Sequence, residues 1–147
     1  MRNFVIICIV NFSLYFSTYL TMISETNYAK IELFALTSTS GLITFVYVLG
    51  LIFSTLIFGK FVDRVNLKKA LFIIIGLEGV ITFGYLFANS IEILLILRVL
   101  TGILFGIGTC ICNTTISKII PESKKGVGIG YFSYHLIGYF AIFGYLV

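Results

Sequence analysis

The chain has 147 residues, 59% of them hydrophobic and only 11% charged, with a formal net charge of +4. A soluble domain carries about 25% charged residues because its surface faces water. This chain could not cover itself that way, so the lipid bilayer is its natural solvent, and its basic balance reads as an orientation signal rather than a nucleic-acid interface.

In chain order the first apolar run is 4–23, behind Arg2. It resembles a signal peptide at its start, but no small-residue cleavage site closes it, and its length predicts a membrane helix. The second span is expected at 41–58, the third at 70–88, the fourth at 91–115 and the fifth at 127–147. At 1.5 Å per residue each is long enough for a hydrocarbon core about 30 Å thick. None alternates apolar and polar residues, as barrel strands do. The expected fold class is an all-α, polytopic membrane bundle of five helices in a single domain.

Lys and Arg in the connecting segments set the orientation. Arg2, four residues of the 59–69 stretch (Lys60, Arg64, Lys68, Lys69) and Lys118, Lys124 and Lys125 fall on one side. Only Lys30 falls on the other. This predicts a multi-pass protein of the cell membrane with its N-terminus in the cytoplasm. The sequence stops at Val147, at the end of the fifth run, which suggests a piece of a larger bundle.

Cys8, Cys110 and Cys112 lie inside apolar runs. They read as small apolar residues, not as a disulfide or metal framework. One His, no metal-spaced cluster and no phosphate loop argue against an enzyme and against a cofactor. Gly126, Gly128 and Gly130 imitate a nucleotide loop, but they follow no strand.

The stretch GKFVDRVNLKK, residues 59–69, carries more than topology. Gly59 closes one span, Asp63 follows four residues later, and Arg64 is next. A carboxylate among cations at a helix end can form a breakable latch. This pattern resembles the loop between the second and third helices of the major facilitator superfamily, G-x-x-x-D-R-x-G-R-K/R. Gly59, Asp63, Arg64 and Lys68 match it. Asn66 stands where the family prefers Gly and Leu67 where it prefers Arg; Asn tolerates the left-handed backbone such a turn would need. The fourth span reads Arg98-Val-Leu-Thr-Gly102, similar to the R-x-x-x-G of the drug-antiporter branch, with Thr101 where Gln is frequent. The Gly-Pro-rich motif of that branch has no counterpart in Gly138–Gly144, which lacks proline.

The resemblance implies the N-terminal half of a transporter, five of twelve helices. It implies a cytoplasmic gate at Asp63 and Arg64, and proton or substrate coupling at Arg98. An arginine inside a span costs about 2.5–3.5 kcal/mol on insertion scales, so Arg98 is expected to face the bundle interior, with snorkelling outward as the alternative. Glu78 and His135 are further coupling candidates, His135 alternatively a packing residue among tyrosines. A Glu78–Arg98 pair is open. Gly102 and Gly106, four apart, suit close helix packing. Ser13, Ser17 and Thr21, then Thr44 and Thr55, then Arg98, Thr109 and Asn113, form stripes that line a pathway, unless the hydroxyls only bond their own helices.

The expected function is transport of a small-molecule substrate by a proton-coupled secondary transporter, with efflux as one direction and alternating access as the mechanism. Its expected partners are the bilayer and a missing C-terminal half or partner helices, with no nucleic acid. The alternatives are a truncated, non-transporting fragment and a small membrane scaffold.

Overall fold

The computed structural model describes residues 2–32, 37–121, 126–127 and 130. Four long helices account for most of them: α1 (Arg2–Ile31), α2 (Thr37–Gly59), α3 (Leu67–Gly84) and α4 (Ile91–Ile119). Short 3-10 turns at Val62–Arg64 and Tyr85–Phe87 join α2 to α3 and extend α3. The described residues contain no strand. All four helices are long and apolar enough to cross a membrane. The fifth expected span lies almost wholly outside the described residues, and His135 lies outside them; the described residues contain four spans.

α1 continues beyond the expected end at Ile23 to Ile31. The added turns bring Glu25 and Lys30 onto the helix rather than into a loop. The reason is a continued stripe: Ile7, Asn11, Leu14, Thr18, Glu25 and Ala29 are all buried. Their spacings of three, four or seven keep one face toward the bundle.

α4 is the central helix and packs against α1, α2 and α3. Its buried positions include Leu94, Arg98, Thr101, Gly102, Phe105 and Gly106. The α2–α4 seam is the closest. A Cβ added at Gly102 would run into the Tyr47 carbonyl, and one added at Gly106 would strike the Ser54 hydroxyl and the Leu51 carbonyl. A Cβ on Gly50 would lie 2.7 Å from the Val99 carbonyl. Glycines on both helices thus bring the two backbones together. On its other side α4 buries Phe105, Cys112 and Ile116 with Ile7 and Leu14 of α1. Cys8, Cys110 and Cys112 are free thiols, and Cys112 is wholly buried in that core.

α3 is peripheral. Phe72, Val80, Phe83, Leu86 and Phe87 lie mostly exposed along it, as a lipid-facing helix requires. Asn66 begins it at φ −71° and ψ 98°, extended rather than left-handed. Its side chain accepts a hydrogen bond from the Lys69 amide at 3.3 Å and caps the helix. Asn66 therefore serves as an N-cap, not as the replacement for a turn glycine. Ser90 does the same for α4, accepting from the Ile93 amide at 3.4 Å.

Candidate functional site

Helix order gives the bundle two distinct ends. One holds the 59–69 turn and the end of α4, and the other joins the end of α1 to the α3–α4 turn, where the Tyr28 hydroxyl donates to the Ala88 carbonyl at 3.2 Å. Among the described residues each end has one ion pair.

The buried pair is Arg98 with Glu25. Arg98 Nε lies 2.8 Å from Glu25 Oε2, and the two side chains are 1% and 5% exposed. Glu25 is six residues from the end of α1 and Arg98 seven from the start of α4. Both therefore sit roughly 10 Å inside the same end, by helical rise. Arg98 faces the interior and does not snorkel. Its guanidinium also lies over the Tyr47 ring of α2, 5.2 Å from the centroid. A desolvated cation gains from the ring quadrupole there.

The surroundings extend the network. Thr101 donates its hydroxyl to the Leu97 carbonyl at 2.9 Å, so its contact with the Tyr85 hydroxyl at 3.0 Å has Tyr85 as donor. Tyr85 also lies next to the Glu25 carboxyl. Both Glu25 oxygens, and Nε and Nη1 of Arg98, lack an aligned hydrogen bond among the described residues. Charge proximity therefore holds the pair, rather than a forked hydrogen-bonded clasp.

Glu78 is not the partner of Arg98. It is buried on α3, and its Oε1 has no hydrogen bond among the described residues. It lines a groove of about 440 Å³ between α1 and α3, with Ser13, Ser17, Ile75 and Thr82. The hydroxyl stripes serve mainly their own helices. Ser13 donates to Ile9, Thr21 to Ser17, Thr55 to Leu51 and Thr109 to Gly106, all at backbone carbonyls. Asn113 is exposed, while Arg98 on the same helix is buried. Thr44 lies part-buried on α2.

The exposed pair is Asp63 with Lys118. Their Oδ1 and Nζ are 2.9 Å apart, at 74% and 52% exposure. The partner of Asp63 thus comes from the end of α4, not from Arg64 or Lys68 beside it. A Cβ on Gly59 would meet only Cys110 Sγ, at 4.0 Å, so crowding does not require this glycine.

Sequence reasoning missed Glu25 because it ended the first span too early. Two signals could have found it. Thr18 plus seven continues the buried stripe of α1, and Arg98 needed an acid at the same depth.

A family model described as Major Facilitator Superfamily matches residues 7–147. The chain belongs to the Major Facilitator Superfamily. Members of this superfamily are membrane transporters, which accords with a multi-pass bundle built from apolar helices. Comparison with curated proteins gave no match, and comparison with solved structures gave none.

Proposed function

We propose that the chain forms the N-terminal part of a proton-coupled secondary transporter that moves a small solute across the cell membrane, with efflux as one direction. Its N-terminus and the 59–69 turn are cytoplasmic in this reading, on the eight-to-one excess of Lys and Arg. Further helices complete a central cavity, and the two halves rock to alternate access.

The buried Arg98–Glu25 pair carries the proposal. A charge inside a span is costly, so an ionised pair there marks a functional site by default. The proton adds to a Glu25 oxygen and turns the carboxylate into a neutral acid. Arg98 then loses its counter-charge and keeps only the Tyr47 face. That imbalance favours a rearrangement, and release of the proton restores the pair. Asp63 and Lys118, with Arg64 and Lys68 beside them, act as the cytoplasmic gate. Glu78 and His135 are secondary candidates for the coupling route.

The test is solute-driven proton movement in proteoliposomes holding the full chain, read by an internal pH dye across a panel of small organic solutes. Glu25→Gln is expected to abolish proton movement while solute counterflow persists. Solute flux with no proton movement in the unmodified protein would refute the coupling. Absence of any flux, with a stable helical partner recovered by crosslinking, would support the scaffold alternative instead.

A further inference from the structure

The buried ion pair is bordered by hydroxyls whose direction follows from counting protons. Thr101 has one hydroxyl proton and gives it to the Leu97 carbonyl at 2.9 Å. The Tyr85 hydroxyl, 3.0 Å from Thr101 Oγ1, therefore spends its single proton there. Tyr85 is left with oxygen lone pairs only, and they lie beside the Glu25 carboxyl. A carboxylate has no proton to offer them, whereas a protonated acid has one. The chain from Tyr85 through Thr101 to Leu97 thus complements neutral Glu25, while Arg98 complements the ionised form.

The fold holds Tyr85 at this point from two sides. Helix α3 gives way to the 3-10 turn Tyr85–Phe87, and Gly84 just before it passes close to α4, where an added Cβ would lie 3.3 Å from Leu97 Cδ2. From α1, Tyr28 donates to the Ala88 carbonyl at 3.2 Å. Tyr28 is three residues past Glu25 and Ala88 three past Tyr85, so this bond ties the helix of the acid to the turn of the tyrosine. Tyr85 also packs against buried Ala29, Ala88 and Leu94. Glu25, Arg98 and Thr101 are 4%, 1% and 4% exposed, so the described helices already enclose them. Among the described residues the charged and titratable groups facing Glu25 are Arg98 from α4 and Tyr85 from the turn after α3. From α2, Tyr47 lies on Arg98, and Glu78 of α3 lines the α1–α3 groove instead.

We propose that Tyr85 is a positioning residue for the proton on Glu25: its oxygen accepts the hydrogen bond of the protonated carboxyl, and its own proton stays on Thr101. This rests on the coupling reading for its role in transport. One O–H bond forms, on Glu25, when the proton arrives, and Tyr85 and Thr101 keep theirs. Without such an acceptor the neutral acid would hold a buried donor with no partner, which is costly. Arg98 and Tyr85 therefore compete for the acid, one for its charged form and the other for its neutral form.

The experiment is an infrared pH titration of the full chain in lipid bilayers. It follows the C=O stretch of the protonated carboxyl, assigned to Glu25 by its loss in Glu25→Gln. Tyr85→Phe keeps the ring and removes the acceptor, so the midpoint should move to lower pH by about half to one unit. Thr101→Val releases the Tyr85 proton to turn toward the carboxylate, and should lower the midpoint at least as far. Thr101→Ser, which keeps the hydroxyl, should restore it. Tyr85→Phe combined with Thr101→Val should match Tyr85→Phe alone, because no donor is left to turn. Circular dichroism of each variant verifies that the helices form. A midpoint that rises in Tyr85→Phe would make Tyr85 a donor to the carboxylate and overturn the proposal. An unchanged midpoint would overturn it too, as would a Glu25 that keeps one protonation state from about pH 4 to 10. Transport plays no part in this readout. A midpoint that depends on Tyr85 without solute-driven proton movement would keep this inference and refute the coupling, and proton movement with a midpoint indifferent to Tyr85 would do the reverse.

Discussion

The two ion pairs at the ends of the bundle have nearly the same length, 2.8 Å for Arg98–Glu25 and 2.9 Å for Lys118–Asp63. Their energetics differ because their surroundings do. Around Asp63 and Lys118, water solvates either charge when the contact opens, and such pairs contribute little net stability. Around Arg98 and Glu25, no water replaces a lost partner, and each charge alone is severely penalised. Distance therefore says little about what an ion pair does. The exposed pair can open and close at low cost, which suits a latch. The buried pair resists opening unless a proton neutralises one member.

Breaking the buried pair should have the largest effect. Glu25→Ala is expected to destabilise the bundle by about 3–5 kcal/mol, because Arg98 stays buried without its acid. Unfolding in mixed micelles monitored by circular dichroism measures this. The double variant Glu25→Leu with Arg98→Met should recover much of the loss, since it removes both charges. If the double variant is worse than the single one, the pair is a net stabiliser and the comparison needs revision.

The seam that supports Arg98 comes next. Gly102→Ala drives a methyl into the Tyr47 carbonyl and should cost about 1–3 kcal/mol. Gly41→Ala, where a Cβ meets nothing within 4 Å, should be neutral or slightly stabilising in the same melt. At the other end, Asn66→Ala removes the cap of α3 and should cost about 1 kcal/mol. Asp63→Asn should be smallest, below about 1 kcal/mol, and should shrink further as salt is raised. Exchanging the charges, Asp63→Lys with Lys118→Asp, should restore the wild-type melt if the contact is only electrostatic.

Much of this fold could be read from the sequence because a membrane helix announces itself by length and composition. The apolar runs that become α2, α3 and α4 came from local signals. The pairings did not. Arg98 had two buried acids on neighbouring helices, Glu25 and Glu78, and only tertiary packing decides between them. Helix α1 faces α4 with Glu25, while α3 turns Glu78 toward the groove. Asp63 had nearer cations in sequence, yet Lys118 reaches it because α4 ends beside the turn. Asn66 was misread because the same residue type suits both a left-handed turn and a helix cap, and φ alone separates them.

Chain order gives the buried pair a further property. Ribosomal synthesis runs from the N-terminus, so Glu25 enters the membrane with α1, well before α4 brings Arg98. The acid can enter neutral, by holding a proton, whereas an arginine keeps its charge. Had the two residues occupied the opposite helices, the permanent charge would have entered first and waited for its counter-ion. Here the residue that can hide its charge arrives early, and the one that cannot arrives when its partner is already in the membrane. The topology thus lowers the barrier to assembling a charged contact in oil.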